Sequence, residues 1–132
     1  MPEVNWIAVG LCAVSSLVLG GLWYSPALFA RQWQTAAGLS DEQARSGNMA
    51  LIFGGAFLLS LIAAAVFAMF LGHEMSVGAA TAAGFSAGLC WVAASYGISY
   101  GFERRPLKLW LINGGYHTLQ FTLFGLILGL MS

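Results

Sequence analysis

Charge is what this chain has least of. Five Lys and Arg and five Asp and Glu make up 8% of its 132 residues and sum to a formal net charge of zero, where an ordinary soluble domain is about 25% charged. So few cations exclude nucleic-acid binding as its work. Cysteine occurs only twice, and Cys12 and Cys90 both fall in apolar runs. There a thiol acts as a small packing residue rather than as a disulfide or metal partner, so the redox compartment is not legible from them. A glycine-rich phosphate loop is missing, and no nucleophile, base and orienting group occur at a suitable spacing. The chain is therefore read as a non-enzyme, with no cofactor and no metal expected.

What is present is apolar surface: 59% of the residues are hydrophobic. The charges cluster, leaving charge-free runs at 4–30, 46–73, 75–102 and 109–132, each longer than the roughly 20 residues a bilayer-spanning helix needs. Four spans at about 5–24, 49–71, 77–100 and 107–131 account for nearly the whole chain. The expected fold class is an all-α integral membrane protein. Residues 1–132 then form a single transmembrane domain, four helices in an antiparallel bundle with a short interfacial helix in the first cytoplasmic connection.

The first span has no Lys or Arg before it and is longer than the apolar core of a secretory signal, so it is expected to stay in the mature protein. The basic residues lie only in the connections after the first span (Arg31, Arg45) and the third (Arg104, Arg105, Lys108). The positive-inside rule puts both connections in the cytoplasm and both termini outside it. Arg104, Arg105 and Lys108 are candidate contacts for anionic lipid headgroups.

Along the chain, Trp6 and Trp23-Tyr24 anchor the two ends of the first span. Ser16, Gly20 and Tyr24 recur at four-residue spacing, which lets another helix approach, while Ser15 and Ser16 read as packing or as bonding back to their own helix. Pro26 cannot continue a helix but suits the first turn of a new one. An interfacial helix is expected from there to Ala37, closed by Gly38, followed by a capping box at Ser40 and Gln43. The second span reads as mainly structural. The short turn Gly72-His73-Glu74 should pack the second and third spans as an antiparallel hairpin; His73 beside Glu74 reads as a solvated turn rather than a metal site. Ala80, Gly84 and Gly88 form the strongest helix-packing stripe and a candidate interface between copies. Tyr96 and Tyr100 read as interface anchors. A repeated Gly-Leu-Cys at Gly10 and Gly88 is a faint sign of internal duplication.

The fourth span carries the chemistry. After Pro106 and Trp110, Asn113, Tyr116, His117 and Gln120 sit at i, i+3, i+4 and i+7 and share one helix face. At about 1.5 Å per residue, Asn113 lies roughly 10 Å and His117 roughly 16 Å from Pro106, near the middle of a core about 30 Å thick. Polar groups at that depth are costly unless they face protein or water. These four residues are the candidate intramembrane polar site, and Trp23, Tyr24, Ser25, Glu103 and Arg105 the candidate cytoplasmic mouth.

Asn5-Trp6, the block GGLWYSPALF from Gly20 to Phe29 with Trp33 beyond it, and FERRPLKLWLINGGYH from Phe102 to His117 together resemble the bacterial membrane family catalogued as domain of unknown function 1761. The likeness covers nearly the whole chain. It implies a multi-pass protein of the bacterial inner membrane with no agreed activity. It also marks Trp23, Tyr24, Ser25, Pro26, Glu103, Arg105, Pro106, Asn113 and Tyr116 as motif positions.

Two functions follow. One is a transporter or channel for a small solute or ion, working as a homodimer or larger because four helices enclose little more than a packed core, with His117 as its relay. The chain resembles small multidrug transporters in size and span count but lacks their acidic residue in the first span. The other is a non-transporting structural or accessory protein whose polar face is an interhelical hydrogen-bond network. A haem protein is the weakest reading, since one deep histidine supplies one axial ligand at most. The partners expected are the bilayer, further copies of the chain and an unidentified small molecule or ion, with no nucleic acid.

Overall fold

Residues 4–72 and 74–132 are described by the structure, a computed structural model, and every regular element among them is helical. The first helix, α1 (Trp6–Trp23), starts where the Asn5 side chain accepts the N–H of Ala8 at 3.1 Å, filling one of the donors a helix start leaves open. Past Pro26 the chain does not re-enter a helix at once. The Ser25 carbonyl accepts from the N–H groups of Leu28 and Ala30, closing a turn over the proline. The interfacial helix expected from Pro26 therefore starts only at Ala30, as α2 (Ala30–Ala37), and ends on Gly38 at φ 76°. The expected capping box opens α3 (Asp41–Arg45): Gln43 N donates to Ser40 Oγ at 3.1 Å, and Ser40 N donates to Gln43 Oε1 at 2.9 Å.

Asn48 caps α4 (Met49–Leu71) and Ser76 caps α5 (Val77–Ala87). The turn between them includes His73, which lies outside the described residues, so its solvated or metal-binding reading is not addressed. From α5 the helix runs on through a π segment, Gly88–Ala93, into α6 (Ala94–Glu103). Arg104 ends it in the left-handed region at φ 59°, and its successor Arg105 donates its N–H to the Tyr100 carbonyl. Pro106 then leads into α7 (Leu107–Leu130).

Among the described residues, three helices are long and apolar enough to cross a membrane: Trp6–Trp23, Met49–Leu71 and the continuous Val77–Glu103. The 24-residue α7 is long enough but stands outside that set, because its polar side chains dilute the apolar run. Large apolar side chains cover the outside of the protein. Leu51, Leu59 and Phe70 of α4 are 72%, 67% and 80% exposed, a surface suited to lipid rather than to water.

Helix α7 is central: it packs along α5 and the π segment on one flank and along α1 on the other, and α4 lies against α1 and reaches α7 where Phe67 meets Phe121 at 5.7 Å. Here the hairpin expectation fails: α4 and α5 make at most a marginal contact, although only a short turn joins them. The small-residue face of α5 decides the matter. A Cβ on Gly84 would collide with the carbonyl of Phe121, and one on Gly125 with that of Ala80. Backbones this close leave no space for a side chain, and packing of this kind is what associates helices in lipid. The stripe Ala80, Gly84 and Gly88 is therefore used inside the chain against α7 and is not free to join two copies. The core sits where α1, α4 and α7 converge, on Ala8, Cys12, Ala64, Phe67 and Phe124, all buried.

Candidate functional site

The polar residues of α7 lie between α1 and α6, and each finds a partner. Asn113 is held from both sides: the Tyr24 hydroxyl donates to its Oδ1 at 2.7 Å, and its Nδ2 donates to the Tyr100 hydroxyl at 2.9 Å. One amide thus ties the end of α1 to the end of α6. One turn further along, the Tyr116 hydroxyl donates to the carbonyl of Ser16 at 2.9 Å. Gln120 is buried and donates from Nε2 to Ser16 Oγ at 2.9 Å. Its Oε1 faces His117 Nδ1 at 2.7 Å.

Aromatic contacts join these two hydrogen-bonded groups into one patch. Tyr116 meets Tyr24 at a centroid distance of 5.5 Å and meets His117 edge-on at 4.9 Å. Tyr96 stacks on His117 at 5.1 Å, nearly parallel, and meets Tyr100 at 5.4 Å. Every tyrosine of the chain is in this patch. Tyr96 and Tyr100 are thus not merely interface anchors. His117, Asn113 and the four tyrosines are half-buried, so the patch is packed but not sealed.

Why the sequence folds this way is visible on α1. Ser16, Gly20 and Tyr24 form one stripe, and all three face α7: Gly20 lies under the Tyr116 ring, where an added Cβ would come 3.5 Å from its hydroxyl. Ser16 is the member of this patch that reads from the sequence only as packing or as bonding back to its own helix. Its neighbour Ser15 does bond back to its own helix, at the Cys12 carbonyl, 2.7 Å away. The stripe distinguishes the two serines.

The residues expected at a mouth each have separate partners. Trp23 donates its indole N–H to the Ile112 carbonyl at 2.8 Å, and Tyr24 belongs to the tyrosine patch. Ser25 closes on the Leu22 carbonyl, a local turn contact. Glu103 and Arg105 pair at 3.5 Å on the exposed surface, where such a pair contributes little. Arg105 also reaches the carbonyl of Ala37 at 3.3 Å, fixing the end of α2 to the α6–α7 corner. Trp33 packs its ring edge against Tyr24 at 5.8 Å, so α2 covers this end of the patch. Arg104 and Lys108 are exposed.

A second arrangement lies where the π segment meets α7. The Trp110 indole donates to the Ala93 carbonyl at 2.7 Å, and Gly97 leaves room for it, since a Cβ there would lie 2.9 Å from the indole nitrogen. A π turn displaces the regular bonding of a helix and is often found at functional positions.

Among the described residues, no group of three or more His, Cys, Asp or Glu is placed to hold a metal. No curated protein and no solved structure matches the chain. The two motif blocks, meeting here through Trp23 and Ile112 and through Tyr24 and Asn113, lie within residues 7–129, over which the family described as protein of unknown function DUF1761 matches; the chain belongs to that family.

Proposed function

We propose that the chain is a four-span protein of a bacterial cytoplasmic membrane, its helices antiparallel and both termini outside, whose polar patch locks the helices and transports nothing. It acts as a structural or accessory membrane protein. One observation carries this reading: Asn113 is bonded on both sides within the chain, and Tyr116 and Gln120 are bonded to Ser16. Such bonds contribute about 0.6 to 2 kcal/mol each in a membrane, but they fix register. The order of partners supports the antiparallel arrangement, since Asn5 donates to Met131, Ser16 receives Gln120 and Trp23 reaches Ile112. The test is uptake by liposomes carrying the purified protein, across ion and metabolite panels. No flux above empty liposomes is expected, together with poorer assembly of Asn113→Leu and His117→Leu. Flux abolished by His117→Ala would overturn the reading.

A second reading, a small-solute transporter working as a homodimer or larger, is favoured by one feature. His117, Asn113 and the four tyrosines are only half-buried, and the first turns of α4, from Met49 to Phe53, are exposed.

A further inference from the structure

On the face of α7 turned away from the polar patch lies an apolar groove of about 350 Å³, between Trp23 and the π segment. That is within the range of small-molecule sites. Its floor is Gly114 and Gly115, and any side chain there would fill it: a Cβ on Gly115 would come 3.1 Å from the Trp23 ring. Every polar group on the wall is turned away into backbone. Trp23 donates to Ile112, Trp110 donates to Ala93, and the Thr118 hydroxyl donates to the Gly114 carbonyl at 2.7 Å. A polar solute entering would lose its hydration and find no partner. A hydrocarbon chain loses nothing.

A cation stands at the end of this groove. Lys108 shares a helix face with the lining residues Leu111, Gly115 and Leu119, being three, seven and eleven positions before them. It is exposed, and among the described residues it has no ion pair and no side-chain hydrogen bond. Arg105, by contrast, is engaged with Glu103 and Ala37. Basic residues beside pockets between spanning helices suit anionic headgroups.

We infer that the groove holds one acyl chain of an anionic phospholipid, with its phosphate on Lys108. This rests on the reading of these helices as membrane-spanning. The whole chain, exchanged into phosphatidylglycerol or phosphatidylcholine vesicles and released for native mass spectrometry, should retain one phosphatidylglycerol, preferred about five-fold over phosphatidylcholine, the ratio expected for one cation near the surface. Lys108→Gln should abolish the preference while a lipid is still retained. Gly115→Leu should abolish retention, and Leu119→Trp, at a position already 41% exposed, should do the same without loading the helix contacts. Equal retention of both lipids, or retention unchanged by Leu119→Trp, overturns the inference. So does crosslinking of Leu119→Cys between two chains with no lipid retained. Alkaline washing of membranes separates the two levels: a chain that stays with the membrane but retains no lipid sinks the inference alone, and a chain that washes off sinks the span reading with it.

Discussion

Asn113 accepts the Tyr24 hydroxyl at 2.7 Å while donating to Tyr100 at 2.9 Å. Helix α7 is therefore clamped between α1 and α6 by a single amide. Asn113→Leu removes both bonds and leaves two tyrosine hydroxyls to find other partners. At about 0.6 to 1.7 kcal/mol for a bond of this kind in a membrane, the loss should lie near 1 to 3 kcal/mol. Unfolding of the purified chain in detergent would measure it. A double-mutant cycle with Tyr24→Phe should return a coupling in the same single-bond range, and a coupling of zero would remove the clamp.

The approach of α5 to α7 predicts a different pattern. Gly84→Leu must push the Phe121 carbonyl away, and Gly125→Leu must do so with Ala80, so backbone rather than side chain has to move. Both should cost more than the ~1–3 kcal/mol of ordinary overpacking. They are expected to abolish recovery of folded protein. Gly10→Ala, in open space, should be neutral in the same size-exclusion assay.

Much of this was legible in the residues. The four-residue spacings Ser16, Gly20, Tyr24 and Ala80, Gly84, Gly88 mark faces that other helices approach, and the spacing of Asn113, Tyr116, His117 and Gln120 defines a single face of α7. Which helix meets which was not legible. Chain proximity argues for α4 beside α5, but α7 brings Gly125 and Gly129 to the same small-residue stripe and packs closer than the bulky α4 face can. The partners of the polar residues were hidden for a similar reason. A serine or tyrosine near a helix end is an acceptable packing residue or interface anchor until the facing helix is known, and only the stripe shared by Ser16 with Tyr24 pointed across to α7.

Arg104 offers a backbone test. It ends α6 at φ 59°, where a residue with a Cβ is held at a cost of roughly 1–2 kcal/mol. Arg104→Gly should therefore leave stability unchanged or raised by up to about 1 kcal/mol. Arg104→Val, branched at Cβ, should lower it, while Lys108→Val, outside any such strain, should not. Equal melting of both valine variants would show that the left-handed turn carries no cost.

The hydrogen bonds around Gln120 fix a proton on His117. The Gln120 amide nitrogen donates to Ser16 Oγ, so the oxygen facing His117 Nδ1 at 2.7 Å can only accept. Neutral His117 must then carry its proton on Nδ1, leaving Nε2 with the free lone pair. Nitrogen-15 shifts of labelled histidine in the reconstituted protein should report a protonated Nδ1 and a bare Nε2. Because the donor chain runs from His117 through Gln120 to Ser16, Gln120→Leu should release the tautomer preference, with the opposite tautomer appearing in the spectrum. Ser16→Ala should weaken the preference without reversing it. If the wild-type chain instead shows the proton on Nε2, the Gln120 amide is turned the other way, and the Ser16 hydroxyl rather than the amide nitrogen is the donor across α1 and α7.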